Sequence, residues 1–470
     1  MIADLKPYAD YKDSGLPWLG QVPRHWDVSQ LAKLARVKSV VNQSNRQLLS
    51  VYLQRGVVRF SDVADKRTNT TSEDLSKYQA VDPGDFVLNN QQAWRGSVGV
   101  SDFSGIVSPA YLVLALSKQY LACYANLLFR DQSMVDQYLI CSKGVGSIQR
   151  NLYWPHLKSV GVVVPPPAEQ AAIVSFLDWA NGRLERAIRA KRKVIALLNE
   201  QKQAIIHRAV TRGLDPSVPL KPSGIPWVGE IPEHWEVVRT KNVCRIQGGF
   251  AFKTEWFKAE GIPVIRMSNL RRGDLDISEA VRVGGEHCLS DYQLSEGDIL
   301  YGLSGSIGST GSLGNFAVVR QSDLPAQLNQ RVARFRPNKS TVACDFLVLL
   351  LQTSVFYEQV LSDTTGTAQF NVSTNDVGRV AFALPSLTEQ VRIVSSVAEA
   401  ISPLNITTSR LEGEIALLRE YRTRLVADVV TGKLDVREAA TRLPDEVLLP
   451  DLAAADEERD DMPIEEEADA

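Results

Sequence analysis

Cysteine and long apolar runs are scarce in this chain of 470 residues. Its five cysteines stand far apart and form no C-x-x-C pair, so we expect reduced and mostly buried thiols. The longest apolar runs, such as residues 346–351, are too short to cross a bilayer, and the N-terminal residues contain no apolar signal core. These absences predict a cytoplasmic protein.

Motifs for catalysis and metal binding are missing as well. The five histidines show neither H-E-x-x-H nor H-x-E spacing, and neither a phosphate-binding G-x-x-x-x-G-K-[ST] loop nor a G-x-S-x-G elbow occurs. The sequence therefore predicts no catalytic residue, no metal site and no cofactor held by this chain. An enzyme with unrecognised motifs is a weaker alternative, which activity of the isolated chain with Mg²⁺ or a methyl donor would reveal.

The net charge of -3 is an average over two unlike parts. Residues 444–470 carry 12 acidic side chains and one arginine, a net charge of -11, which leaves +8 on residues 1–443. A basic body of this kind is typical of nucleic-acid binding. The acidic segment lacks aromatic residues and is predicted to be disordered. It could mimic the charge of DNA or simply aid solubility.

The strongest pattern is an internal repeat. Residues 14–28 (SGLPWLGQVPRHWDV) and 223–237 (SGIPWVGEIPEHWEV) are identical at nine of fifteen positions, at an offset of 209. We interpret the repeated tryptophans as anchors on a core rather than ligand contacts; they are Trp18, Trp26, Trp227 and Trp235.

A second set of motifs repeats at an offset of 220: GSIQRN at 146–151 with GTAQFN at 366–371, P-x-x-x-E-Q-x-x-[IV]-V from 165 and 385, and TRGLD at 211–215 with TGKLD at 431–435. The second copy is therefore 11 residues longer between the two sets. The ends of the module are fixed in sequence while its middle varies.

Each copy ends in a long helix with an apolar seam. The first is predicted to follow the prolines at 165–167 and to run to about Arg212, with Gly213 beyond its end. Apolar residues seven apart indicate a coiled-coil seam of roughly 43 Å, and an antiparallel pair is the simplest closure. Lys191 on this seam could fix the register or extend its ammonium to water. The predicted seam residues are Leu177, Leu184, Leu198, Ile205, Val397, Leu404, Leu411, Leu418 and Leu425.

The variable middles combine short β-branched runs with Gly and Asp turns, which predicts mixed α/β, or α+β, domains. Matched Gly-Asp dipeptides at 84 and 297 are predicted to enter strands, and matched Gly-Ser dipeptides at 96 and 305 to form tight loops. The predicted division is a conserved segment 1–28, domain 29–162, helix region 163–217, linker 218–237, domain 238–381, helix region 382–436 and acidic tail 437–470.

Two variable domains joined by helices of fixed length suggest a spacing device for two DNA half-sites, which bipartite readers place ~34 Å apart. Polar side chains with bidentate reach are the candidates for base readout. The predicted DNA-binding residues are Asn89, Asn90, Gln91, Gln92, Arg95 and Ser97 in the first domain and Asn269, Arg271, Arg272, Tyr301, Ser304 and Ser306 in the second.

Other polar residues allow two interpretations. The repeated pairs Gln149 with Asn151 and Gln369 with Asn371 fit a role in the backbone or a shared phosphate contact better than differing base readout. The basic run at 189–193 could be a solvated helix face or a charged contact.

The repeated S-G-x-P-W-x-G-x-[IV]-P-x-H-W-x-V, P-x-x-x-E-Q-x-x-[IV]-V and T-x-x-L-D motifs resemble those of the specificity subunit of type I restriction–modification systems over about residues 11–436. The resemblance implies two target-recognition domains joined by two antiparallel helices with pseudo-two-fold symmetry. It further implies double-stranded DNA, two methyltransferase (modification) subunits and restriction/translocase subunits as partners. S-adenosylmethionine, ATP and Mg²⁺ would be bound by those partners.

A second hypothesis is a coiled-coil assembly scaffold whose two domains bind proteins. Binding to duplex DNA in the presence of the partner subunits would separate the two. The target sequence itself cannot be read from the residues, because base preference also depends on loop geometry and DNA shape.

Overall fold

The computed structural model describes residues 5–53, 55–63, 74–145, 149–225, 228–271, 273–306, 313–362 and 370–444. The chain folds into two compact units, residues 1–191 with 413–470 and residues 192–412. Each unit contains one mixed α/β domain and part of each of two long helices. The predicted fold class is therefore confirmed.

The first domain is built on a four-stranded antiparallel sheet with the strand order β4-β11-β8-β9. Strand β8 is buried on both faces, because Phe86 and Leu88 enter the main core of the unit while Val87 enters a smaller cluster. The strands are β1 Tyr11–Asp13, β2 Gln21–Pro23, β3 Asp27–Gln30, β4 Ala35–Val37, β5 Leu49–Tyr52, β6 Gly56–Arg59, β7 Gln79–Val81, β8 Asp85–Asn89, β9 Val98–Val100, β10 Gly105–Val107, β11 Tyr111–Leu116, β12 Ser142–Val145, β13 Gln149–Leu152 and β14 Gly161–Val164. The helices are α1 Leu31–Leu34, α2 Ala122–Phe129, α3 Gln132–Ile140 and α4 Trp154–Leu157, followed by the long helix α5 Pro167–Arg212.

The second domain repeats this plan with a sheet in the order β18-β28-β24-β26. Its strands are β15 Leu220–Pro222, β16 Glu230–Pro232, β17 Glu236–Arg239, β18 Cys244–Gly248, β19 Phe257–Lys258, β20 Ile262–Ile265, β21 Leu270–Arg271, β22 Asp274–Leu275, β23 Arg282–Val283, β24 Ile299–Gly302, β25 Ser304–Gly305, β26 Phe316–Val318, β27 Gln327–Leu328, β28 Val332–Pro337, β29 Phe370–Asn371 and β30 Ala381–Leu384. Its helices are α6 Thr240–Val243, α7 Cys344–Leu351, α8 Ser354–Ser362 and α9 Thr374–Arg379, followed by α10 Leu387–Val430 and α11 Arg437–Thr441.

A two-stranded ladder closes each domain where the chain enters and leaves it. In the first domain β3 pairs with β14, so that Val28 lies opposite Val163. In the second domain β17 pairs with β30, so that Val237 lies opposite Ala383. The predicted domain limits 29–162 and 238–381 fall within these ladders.

The two long helices pack antiparallel in each unit. In the first unit Lys191 Nζ lies 2.5 Å from Glu414 Oε2, and Arg422 lies 3.1 Å from Glu185. In the second unit Lys202 donates to Asn405 at 3.1 Å. As the residue number rises along α5, the number of the partner residue on α10 falls, as antiparallel packing requires. The bond from Lys191 to Glu414 favours a role for Lys191 in fixing the register of the two helices. None of the nine predicted seam residues is exposed.

Some sequence predictions need correction. The tight loop predicted from Gly96 to Gly99 ends earlier, because Val98 and Gly99 belong to strand β9, where Val98 and Val100 are buried in the main core. Of the five free thiols, Cys141 and Cys244 are buried, two are partly buried and Cys123 is exposed. The prediction that most of the thiols are buried was therefore wrong. The predicted tail from 437 begins with helix α11, which packs on the first core, and residues 445–470 lie outside the described residues.

No single helix in the described ranges is long and apolar enough to cross a membrane. Helices α7 and α8 meet the length and composition criteria as a bent pair, but their apolar residues form much of the second core.

Candidate nucleic-acid interface

The repeated His-Trp dipeptide is held by the glutamate that opens each long helix. Trp26 is fully buried, and its indole N–H donates to Glu169 at 3.0 Å. The same carboxylate lies 2.7 Å from His25 Nε2 and accepts a bond from the Tyr8 hydroxyl. In the second domain Trp235 donates to Glu389 at 3.0 Å, and His234 lies 3.0 Å from that carboxylate. The anchor interpretation is confirmed for both tryptophans, whereas Trp227 lies outside the described residues.

The next residue of each motif, a fully buried glutamine, fixes the loop before the domain's helical pair. Gln170 accepts from the Leu121 N–H at 2.8 Å and donates to the carbonyls of Gln119 and Pro165, both at 2.8 Å. Gln390 makes the same three bonds, with Ala343 N–H at 2.7 Å, Thr341 O at 3.0 Å and Pro385 O at 2.9 Å.

The glycine that ends each long helix packs on the same tryptophan. Gly432 has φ +81° and lies so close to Pro23 and Trp26 that a Cβ there would meet their atoms at 2.5 and 2.8 Å. Gly213 has φ +72°, and a Cβ would lie 3.2 Å from the indole of Trp235. Each tryptophan thus joins the start of one helix to the end of the other. The repeated motifs form the frame that carries the domains, which leaves the divergent loops as the candidates for DNA contact.

The matched Gly-Asp turns are also structural. Asp85 accepts from the Asp82 N–H at 2.8 Å and pairs with Lys38, while Asp298 accepts from the Ser295 N–H at 2.9 Å and binds Arg336 Nε at 2.7 Å. Both aspartates are buried. A buried carboxylate with backbone and cationic partners anchors the strand that follows, which presents the loop at its end.

That loop contains the predicted residues of the first domain. Gln91 and Arg95 are exposed, and residues 89, 90 and 92 are partly buried. Residues Ala93–Arg95 form a 3₁₀ turn that ends at Gly96, where φ is +100°. Ser97 is buried, and its hydroxyl donates to the carbonyl of Val51 at 2.9 Å. Ser97 therefore fixes the turn, whereas Gln91 and Arg95 face solvent.

The predicted residues of the second domain divide in the same way. Arg271 and Ser306 are exposed. Asn269, Tyr301 and Ser304 are buried, at 4%, 1% and 6% exposure. Asn269 accepts from the Arg266 N–H and donates to the Asp276 carbonyl, both at 2.9 Å, and burial raises the pKa of the Tyr301 hydroxyl. Arg272 lies outside the described residues. DNA contact by any of these residues stays a prediction.

A second segment lies against this loop in both domains. The Leu152 N–H donates to the Asn90 carbonyl at 2.9 Å, and the Val372 N–H donates to the Leu303 carbonyl at 2.8 Å. Strands β13 and β29 therefore hold equivalent positions. Their side chains differ, because Arg150 of the first domain corresponds to Phe370 of the second.

Sequence reasoning selected Arg95 but missed the other cations and the aromatic side chains at this surface. In the first domain the ring centre of Trp94 lies 5.4 Å from the guanidinium carbon of Arg95 and 5.7 Å from that of Arg150. Lys143 Nζ lies 5.5 Å from the ring centre of Tyr153, which is 44% exposed. The signal was present in residues 142–160, which contain two lysines and one arginine but no acidic residue.

The second domain presents other cations. Exposed Arg331 donates to Asn371 at 3.0 Å, beside the loop after β24. A separate cleft of about 700 Å³ is lined by Arg245, Arg334 and Arg336. Burial lowers the pKa of the Arg334 guanidinium, and the negative charge of Asp298 acts in the opposite direction by favouring the protonated form. The alternation of arginine with apolar residues along β28 (VARFRP) was the available signal, since it places both arginines on one face of the strand.

Comparison with known proteins shows what this chain is similar to. Residues 232–415 match the family model described as a type I restriction modification DNA specificity domain. The chain is 30% identical over 216 residues to the type I restriction enzyme EcoAI specificity subunit of Escherichia coli, a match that covers 45% of this chain and 36% of that protein. It is 25% identical over 432 residues to the MjaVIII specificity subunit of Methanocaldococcus jannaschii, covering 89% and 95% of the two chains.

A solved structure supports the fold. A chain from a study of complex assembly and conformational transition of the type I R-M system aligns with a TM-score of 0.59 and 17% identity, over 88% of this chain and 99% of that one. The sequence and fold similarities agree over nearly the whole chain. Residues 232–415 thus resemble a type I restriction modification DNA specificity domain, and the chain as a whole is similar in sequence to specificity subunits of type I restriction enzymes.

Proposed function

We propose that this chain is the non-catalytic specificity subunit of a cytoplasmic type I restriction–modification complex and recognises a bipartite, asymmetric DNA site. Each domain reads one half-site. The chain positions two methyltransferase subunits and the restriction/translocase subunits, and these partners bind S-adenosylmethionine, ATP and Mg²⁺.

One observation carries this proposal: a repeated frame presents different side chains at the same place. The tryptophan–glutamate bond and the bonds of the buried glutamine recur in the two domains. At the surface they support, Arg150 in one domain corresponds to Phe370 in the other. Two surfaces of different chemistry on one frame fit the reading of two different half-sites.

The helices offer a docking surface for a protein subunit. On α10 in the first unit, a groove of about 560 Å³ is lined by Leu417, Leu418 and Tyr421 together with charged residues. Leu417 is 66% exposed and Tyr421 is 42% exposed. A cluster of solvent-exposed apolar side chains on a helix commonly marks a protein interface. We assign this groove to a methyltransferase subunit.

Leu417→Glu should weaken assembly with the methyltransferase subunit, because it places a charge in the groove. Ala416→Glu is the matched control, since Ala416 is exposed on the same helix but does not line the groove. Co-purification and analytical ultracentrifugation of the two variants measure the effect. Equal assembly of both variants would remove the groove from the proposed interface.

The complete function is tested with the reconstituted complex of this chain and its methyltransferase subunits. Sequencing of the methylated DNA should show one split, asymmetric motif, and binding should weaken as salt rises. Methylation without sequence preference would refute the proposal. Absence of DNA binding together with stable assembly would instead favour the coiled-coil scaffold.

A further inference from the structure

We propose that Arg150, held against Trp94, reads a guanine in the half-site bound by the first domain, and that Lys143 contacts a neighbouring phosphate. This inference rests on the proposed function and names the residues that would carry out part of it.

The guanidinium of Arg150 is held in place without a carboxylate. Its central carbon lies 5.7 Å from the ring centre of Trp94, and Trp94 is itself fixed by a 2.9 Å bond from its N–H to the Gln91 carbonyl. Arg150 makes no ion pair with any residue in the described part of the chain, and its buried Nε has no hydrogen-bond partner there. Gly144 lies opposite Arg150 on the paired strand β12 and adds no side chain beside it. The charge is therefore oriented but not neutralised.

The surroundings of Arg150 are basic and polar. Residues 86–101 and 142–160, which form the loop and the hairpin segment, contain no aspartate or glutamate. Helix α3 packs against the 3₁₀ turn at Trp94, and its N-cap and second turn carry two carboxylates, each of which accepts a hydrogen bond from a neutral group of the same helix. Asp131 accepts from Ser133 in the helix cap, and Asp136 accepts from Gln132 at 2.9 Å. Such a surface favours a polyanion over an acidic or apolar protein partner.

The chemistry of the two cations differs. A guanidinium presents paired N–H donors that match O6 and N7 of guanine in the major groove, and stacking on an aromatic ring restrains its plane. Lys143 is exposed on the opposite face of the hairpin, next to Asn151 and over Tyr153, and a single ammonium suits a phosphate. Arg150 is thus suited to specify a base and Lys143 to position the backbone.

The repeat supports this division of roles. The segments GSIQRN and GTAQFN match at glycine, glutamine and asparagine and differ at the other three positions, where Arg150 corresponds to Phe370. The residue after each segment, Leu152 or Val372, donates the equivalent backbone hydrogen bond to the loop. A position that changes inside a matched segment, at the surface that would face DNA, is where two half-sites would be distinguished. The account predicts that the second half-site lacks the guanine contact made at this position.

The test uses the full chain with its methyltransferase subunits and sequencing of the methylated sites. Arg150→Lys keeps the charge but loses the paired donors. It should relax preference at one G·C pair of the first half-site by roughly 5- to 150-fold and leave the second half-site unchanged. Lys143→Ala should weaken binding to all sequences alike and reduce the slope of log K against log salt by about 1.

The unchanged second half-site shows in the same sample that the variant is folded and assembled. Lys118→Ala is the matched charge control, because Lys118 is exposed in the loop that Gln170 fixes and not on this surface. Unchanged preference at every position with Arg150→Lys would overturn the inference and leave the proposed function intact. If the wild-type complex shows no sequence preference, both fail.

Discussion

The frame of the two units is repeated in its hydrogen bonds, whereas the surfaces that it supports are not. Trp26 and Trp235 bond to equivalent glutamates at the same distance, 3.0 Å. The first domain then presents Arg150 stacked on Trp94, while the second presents Arg331 bonded to Asn371. The difference teaches that the residues identical in the two copies stabilise the fold, whereas the divergent residues form the candidate binding surface.

The largest expected effect tests whether the frame is equivalent in the two units. Trp26→Ala and Trp235→Ala should each destabilise their own unit by about 3–5 kcal/mol, because each removes a fully buried indole. Hydrogen exchange on peptides from each unit measures the two effects separately. A large loss for one variant and a negligible loss for the other would show that the repeat in sequence is not a repeat in energetics.

A smaller effect should distinguish the two frames. Glu169→Gln is expected to cost about 1–3 kcal/mol, because the carboxylate is buried and accepts from three side chains. Glu389→Gln should cost less than about 1 kcal/mol, because that side chain is 25% exposed and has two such partners. Denaturant unfolding with local probes checks the order, and the reverse order would contradict it.

The smallest expected effect concerns the stability of the first unit at low pH. Hydrogen bonds from Lys38 and then Arg46 lower the pKa of Asp82, so this group stabilises the first unit above its unfolded pKa, roughly 3.9, and the contribution is lost as pH falls through the folded value. The matched position in the second domain is Ser295. Asp82→Asn should therefore reduce the pH dependence of the stability of the first unit and leave that of the second unit unchanged. Hydrogen-exchange protection of peptides from each unit between pH 5 and pH 2 measures this. An unchanged profile would contradict this.

The sequence predicted the frame well because its signals are periodic or repeated. The seam residues seven apart, the prolines at 165–167 and Gly213 define helix α5, which runs from Pro167 to Arg212. The bond between Trp26 and Glu169 spans 143 positions and could not be read from spacing, although both residues recur in each copy.

At the candidate interface, several residues chosen from the sequence are not exposed. Polarity alone selected Ser97, Tyr301 and Ser304, which are buried because the turn and strand fold them inward. It overlooked Arg150, because the approach of β13 to the loop depends on tertiary structure. A search for stretches without acidic residues would have included that arginine.

The central claim is that each variable domain reads its half-site independently on an equivalent frame. A chain in which residues 29–162 are replaced by residues 238–381 of the same protein tests it most directly, because matched ladders flank both segments. Assembled with the methyltransferase subunits, this chain should methylate a site in which the second half-site occurs twice and the first is absent. Methylation of the original asymmetric site, or of DNA without preference, by the folded and assembled chimera would contradict the account.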